Sequence, residues 1–237
     1  MNHIVLGYDG SDFSMQALDW ALDEAELRKL PLTLAHAWQW PYGHAGEEAK
    51  AHLRKAAEHV LWHGAECARA TSSGVLVETE LHEGPAAQRL VELSSGAALV
   101  IVGSRGLSAL PRAVVGSVAG YVAAHAECPV IVVRGPGPLP VSTNPGLIVV
   151  ADKDPDASVM QFAFGEAAMR QAPLATTEDV SAWAARHPDV RILPGDDHDA
   201  ATLVVVGRRR AGRPGTVNFL QHAPCPVAVV AEGWLDR

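Results

Sequence analysis

The sequence predicts an α/β fold built on a parallel sheet, present once in full and once more in shortened form. Three observations predict it. Short apolar runs suited to strands alternate with segments of helical periodicity. A glycine loop, Gly103-Ser104-Arg105-Gly106 followed nine residues later by Gly116-Ser117, joins one such run to a helix. The segment His222-Ala223-Pro224-Cys225-Pro226-Val227-Ala228-Val229-Val230 closely copies His125-Ala126-Glu127-Cys128-Pro129-Val130-Ile131-Val132-Val133, which marks an internal repeat.

Residues 1–134 alternate five strands with four helices. Ile4-Val5-Leu6-Gly7-Tyr8 is the first strand. Ser11 or Asp12 caps a helix with Ala17, Leu18, Ala21, Leu22 and Ala25 at helical spacing. Pro31 opens a second strand, Leu32 to Ala37. Residues 45–71 form a long helix with Leu53, Ala57, Val60, Gly64 and Cys67 inward. Val75 to His82 is the third strand, and Pro85 opens the third helix. Ala98 to Val102 is the fourth strand, followed by the glycine loop and a helix over Val118 to Ala124. Pro129 to Val133 is the fifth strand. Strands alternating with helices imply right-handed crossovers and a parallel sheet.

Residues 135–146 hold four prolines and read as a linker. Residues 147–237 restart the pattern. Leu147 to Val150 is a strand, residues 157–171 a helix, Val190 to Leu193 a short strand, and Leu203-Val204-Val205-Val206-Gly207 repeats the fourth strand and its glycine. The third helix of this half is missing.

Composition bounds the function. The 237 residues suffice for one large or two small domains, and 48% hydrophobic content supports a sizeable core. A formal net charge of −8 with only four lysines argues against a nucleic-acid surface. No apolar run reaches membrane-spanning length, and the chain enters a strand directly, so no signal peptide or membrane partner is expected. Three cysteines without metal spacing fit a reducing, cytoplasmic location.

A glycine loop between strand and helix is phosphate-binding chemistry. Glycines let the backbone approach an anion, and the free N–H groups of the helix start face it. The loop lacks G-x4-G-K-[ST], so no Walker lysine is present.

The G-x2-G-x9-G-S loop, the opening Val5-Leu6-Gly7-Tyr8-Asp9-Gly10-Ser11 and the closing Cys-Pro-Val-x-Val-Val resemble the universal stress protein family in its tandem form. That resemblance implies two Rossmann-like domains with sheet order 3-2-1-4-5, the second shortened and degenerate, and an adenine nucleotide, ATP with Mg²⁺, in the first. It implies that Asp9 and Gly10 line the site after strand one. Ala37 meets the adenine through its backbone, and Gly103, Arg105 and Gly106 wrap ribose and phosphates. Gly116, Ser117 and Val118 donate backbone N–H groups. Family dimers pair through their fifth strands, so the two Pro-Val-x-Val-Val strands are expected to pair within this chain as a pseudo-dimer; further association of two chains stays open. The implied role is stress-response regulation, with nucleotide occupancy changing a surface for an unidentified protein partner. A slow ATPase or nucleotide-dependent transferase, and a nucleotide-free interaction scaffold, are the alternatives.

Other features have structural readings beside functional ones. Asp9 could simply cap the next helix. In the second half Asp154 aligns with Asp9. Arg208-Arg209-Arg210 with Arg213 is a solvated loop or an interface. His52, His59 and His63 form a polar helix flank or a metal site, His125 and His222 share one repeat position, and Trp38 and Trp40 pack at a strand end or stack on a base. Asp196, Asp197 and Asp199 around His198 read as a solvated turn.

Overall fold

The computed structural model describes residues 3–40, 46–106, 115–134, 146–208 and 215–234. The expected linker and most of the interval between Gly106 and Gly116 lie outside them. The first half runs β1 (Ile4–Gly7), α1 (Asp12–Arg28), β2 (Leu32–Trp38), α2 (Glu47–Thr71), β3 (Val77–Glu83), α3 (Ala86–Ser94), β4 (Leu99–Gly103), α4 (Ser117–His125) and β5 (Val130–Val133). The second runs β6 (Ile148–Val150), α5 (Ala157–Arg170), β7 (Leu174–Thr176), α6 (Ser181–Ala184), β8 (Ile192–Pro194), a 3₁₀ turn (His198–Ala200), β9 (Leu203–Arg208), α7 (Gly215–His222) and β10 (Val227–Ala231). Strand β7 and the one-turn α6 have no counterpart in the sequence reading. The 3₁₀ turn stands where the third helix was expected to be missing.

Local chemistry sets the helix ends. The Ser11 side chain accepts from the Ser14 amide at 3.2 Å, and Asp156 accepts from Val159 at 2.9 Å, each satisfying a helix-start N–H. Helices α1 and α5 both stop at a left-handed residue, Lys29 at φ 55° and Gln171 at φ 53°. On α2 the buried stripe is Ala57, Leu61, Gly64, Ala65 and Ala68. Leu53, expected inward, is 38% exposed and falls outside that stripe.

Ten strands of the described residues form one sheet in the order β3-β2-β1-β4-β5-β10-β9-β6-β7-β8. Each half contributes five strands in the expected order, all parallel within the half. The halves join at one antiparallel seam, with Val130, Ile131 and Val132 of β5 opposite Val229, Ala228 and Val227 of β10. The intramolecular pairing of the two fifth strands is therefore present, and it makes one continuous sheet. One face packs against α1, α2 and α5, the other against α3, α4 and α7.

Helices α1 and α5 meet across the seam through four charges, three of them buried and Arg28 partly so. Within each helix an ion pair forms one turn apart, Arg28 Nε to Glu24 at 2.8 Å and Arg170 Nε to Glu166 at 2.9 Å. Between the helices Arg28 pairs with Glu166 and Arg170 with Glu24. Both glutamate side chains are 0% exposed. Each guanidinium also lies over an aromatic ring of the other half, Arg170 over Trp20 at 4.6 Å and Arg28 over Phe162 at 5.7 Å. The two carboxylates are buried beside each other, so the pair takes up its protons in separate steps, one above the ordinary range and one below it. On the other face, Arg134 donates to the Leu220 and Gln221 carbonyls at the end of α7, at 2.5 and 3.0 Å. Arg208 donates to the Ala126 carbonyl at the end of α4. Arg208 thus serves the seam rather than a solvated loop; Arg209, Arg210 and Arg213 lie outside the described residues.

Two predictions follow from this burial. Glu166→Gln leaves two guanidiniums facing one carboxylate and is expected to lower the unfolding free energy by about 3–5 kcal/mol in urea titration, whereas replacing all four charges by apolar residues of similar volume is expected to cost little. Burial pushes the Cys128 thiol up to about 12 and the Cys225 thiol up to about 11, while Cys67 is only half-buried. A thiol-reactive dye at pH 8 is expected to label one cysteine of the native chain and all three after unfolding.

Candidate functional site

Strands β1 and β4 are neighbours, but the helices that follow them leave on opposite faces: α1 on one, α4 on the other. The carboxyl ends of two such strands open a crevice where ligands bind in open α/β sheets. A cavity of about 460 Å³ occupies that place, a size suited to a small-molecule ligand. Of the expected site residues, Asp9, Ala37, Gly103, Arg105, Gly106, Gly116, Ser117 and Val118 all line it. Gly10 does not; it is exposed and turns the chain at φ +78°, a backbone state glycine adopts without strain.

Asp9 combines two roles. Its Oδ1 accepts from the Ser11 amide at 3.0 Å and the Ser11 hydroxyl at 2.5 Å, which holds the cap of α1. The same carboxylate lines the cavity, with Oδ2 lying 2.6 Å from where a Cβ on Gly106 would stand. A side chain at Gly106 would press on the Asp9 carboxylate and make it turn aside. Arg105 is held rather than solvated, its guanidinium 5.4 Å from the Phe13 ring centroid.

The described ends of the loop are clamped. Ser104 N–H donates to the Val133 carbonyl at 2.8 Å, and Gly116 N–H donates to the Ser104 carbonyl at 2.8 Å. This corrects one expectation, because the Gly116 amide is already used in closing the loop. The helix start supplies its donors from Ser117, Val118 and Ala119 instead. All three line the cavity, and first-turn N–H groups have no carbonyl partner within the helix. The positive end of the α4 dipole points to the same place.

Sequence reasoning passed over several further lining residues, among them Tyr8, Ala86, Arg89, Leu90 and Ala119. Ala86, Arg89 and Leu90 fall at the three- and four-residue spacing of one face at the start of α3, a signal that was available. Tyr8 donates its hydroxyl to Met15 Sδ at 3.0 Å, and burial raises its pKa.

The equivalent place in the second half is arranged differently. Gly207 ends the same apolar run as Gly103, but its N–H donates to the Asp152 carboxylate. Asp154, aligned with Asp9 by sequence, instead takes the left-handed position of Gly10, at φ 58°. The carboxylate turned toward the glycine strand is Asp152, because the register of β6 on β9 matches that of β1 on β4.

Other sequence features take structural places. Trp38 and Trp40 do not line the cavity. His52, His59 and His63 lie exposed along α2, and no cluster of three metal-ligating side chains exists among the described residues. The His125 ring stacks on Tyr121, with its Nδ1 2.8 Å from the Tyr121 carbonyl, and His222 is the last residue of α7. Asp197 accepts from the Asp199 amide at 3.1 Å and starts the 3₁₀ turn, and the His198 ring meets the Phe219 ring edge-on. No helix among the described residues is long and apolar enough to cross a membrane.

Comparison with known proteins agrees with this architecture. The description of the universal stress protein family matches residues 1–134. Two universal stress proteins of Mycobacterium tuberculosis are similar over nearly their whole length: one is 31% identical over 97% of this chain and 96% of its own, the other 32% identical over 98% and 97%. Among solved structures, a universal stress protein of Archaeoglobus fulgidus superposes with a TM-score of 0.71, covering 98% of this chain and 99% of its own at 19% identity, which establishes likeness of fold.

A Cβ on Gly103 would stand 2.7 Å from the Phe13 carbonyl oxygen, a backbone atom that cannot swing away. Gly103→Ala is expected to destabilise by about 1–3 kcal/mol. Gly165, in α5 with open space around it, is the control: Gly165→Ala is expected to stabilise by about 0.5–1 kcal/mol. Paired urea unfolding curves check both.

Proposed function

The chain belongs to the universal stress protein family, and from that premise we propose that its first half binds ATP or a related adenine nucleotide as a regulatory ligand. One observation carries the reading: the first-turn amides of Ser117, Val118 and Ala119, the Arg105 guanidinium and the glycines Gly103 and Gly106 converge on one cavity at the β1/β4 switch point. Such an arrangement meets phosphate charge with backbone dipoles and one guanidinium, without a Walker lysine. The adenine lies toward the carboxyl end of β2, against the Ala37 backbone. Mg²⁺ arrives with the phosphates, and Asp9 is the carboxylate placed to hold it, consistent with the few protein ligands this ion takes in nucleotide sites.

The second half is a degenerate repeat that does not take a second nucleotide, since Asp152 already occupies the Gly207 amide with an internal anion. Its role is structural and regulatory. Nucleotide occupancy changes a surface for a protein partner, and Arg134, beside the loop anchor on Val133 and bonded to the end of α7, is the residue that links the cavity to the second half.

Proline at the first helical position keeps a helix intact but removes its N–H. Gly116, at φ −59° and ψ 150°, already has the extended backbone that a following proline requires. Ser117→Pro therefore deletes one donor without unfolding α4. Calorimetric titration of nucleotide-stripped protein with ATP and Mg²⁺ is expected to give one site per chain, weakened roughly 10- to 100-fold in Ser117→Pro. Equal affinity in the variant, or no binding by the parent protein, would refute the site.

A further inference from the structure

The cavity has two sides. Gly103 and Arg105 after β4 and the start of α4 line one side; Ala35 and Ala37 of β2 and Ala86 of α3 line the other, with Leu90 over Gly7 between them. β1 lies between β4 and β2, which sets the sides about 10 Å apart. A nucleotide with its phosphates against α4 therefore turns its base toward β2 and α3.

That side holds a fixed cation. Arg89 of α3 lines the cavity. Its Nε donates to Glu80 Oε1 at 2.6 Å and its Nη1 to Glu92 Oε2 at 2.9 Å. Glu80 sits on β3 in register with Ala35, so one anchor of the guanidinium comes from the sheet itself. Two bonds from different elements fix the plane of the fork. Nη2 has no hydrogen-bond partner among the described residues. A guanidinium only donates, so what it complements is an acceptor atom.

We propose that Arg89 reads the base: its Nη2 donates to a ring nitrogen of the bound adenine, with Glu80 and Glu92 positioning the guanidinium. This rests on the nucleotide reading above and adds a specificity-determining residue to it. Arg89 does not supply general attraction for phosphate, because two carboxylates already neutralise its charge and one of them, Glu80, ties it to β3, the strand beyond β2. What it supplies is selection for a heterocycle with an acceptor at one edge position.

The test is a chemical double-mutant cycle. Titrate the full chain, and its Arg89→Ala and Arg89→Lys variants, with ATP, its 1-deaza, 3-deaza and 7-deaza analogues, and inorganic tripolyphosphate. The parent protein is expected to bind one of the three deaza analogues about tenfold more weakly than ATP. That discrimination is expected to vanish in Arg89→Ala and to shrink in Arg89→Lys, while tripolyphosphate binds all three proteins alike. Glu80→Gln, which loosens the guanidinium without removing it, is expected to lower the discrimination partway. ATP binding with no analogue selected against, or selection that persists in Arg89→Ala, overturns the assignment of Arg89 alone. So does an equal loss of tripolyphosphate affinity in Arg89→Ala, which would make the residue a general electrostatic contributor. Failure of the parent protein to bind ATP at all would overturn the nucleotide reading and this one with it.

Discussion

The antiparallel pairing of β5 with β10 is the constraint on which the rest of the molecule depends. Val130–Val133 is buried throughout and would present a bare apolar edge if either half stood alone. The seam itself is short, with three residue pairs in register. Its specificity comes from what is built on both faces. On one, the Glu24, Arg28, Glu166 and Arg170 side chains satisfy each other, and each guanidinium lies over an aromatic ring from the opposite half. A buried ion cluster adds little net stability compared with an apolar core, yet it penalises every arrangement that separates its members. On the other face, Arg134 and Arg208 exchange guanidiniums for helix-end carbonyls across the seam.

The seam also positions the candidate site. The glycine loop hangs from β5 through the bond from Ser104 to Val133, and its far end returns to Ser104 through Gly116. Because that return uses the Gly116 amide, the next three amides of α4 are left facing the cavity. The second half shares the strand order and the glycine at the end of its fourth strand, but Asp152 supplies an internal anion to Gly207. The same architecture thus carries a cavity at the end of β1 and β4 in one half and an Asp152–Gly207 bond at the equivalent place in the other.

Much of this was legible in the sequence wherever one interaction dominated. The α1 residues Ala17, Leu18, Ala21, Leu22 and Ala25 are all buried, as their spacing required. Gly103 keeps its place beside the cavity because a side chain there would meet the Phe13 carbonyl, and Gly106 lies close against the Asp9 carboxylate. Leu174–Thr176 was not legible, since three residues are too short to carry a period. The charged cluster was missed for another reason. Glu24 and Arg28 have the spacing of an exposed helical ion pair, and nothing local says that their second partners lie in α5. The clue was long-range: Trp20, Glu24 and Arg28 recur at the same spacing as Phe162, Glu166 and Arg170. A repeat read through its glycines and prolines showed the fold; the same repeat read through its charges shows the interface. The Gly116 amide and the place of Asp154 turned on backbone direction, which residue identity alone does not fix.

Under the proposed function, one half of the two-fold-repeated sheet keeps an anion site and the other has closed its own. Hydrogen–deuterium exchange with and without saturating ATP and Mg²⁺ tests it most directly, because it reads both halves in one experiment. The account predicts slowed exchange at the amides of Ser117, Val118 and Ala119, and unchanged exchange at Gly207. Protection of Gly207 and its neighbours to the same extent, or no protection in either half, would contradict it.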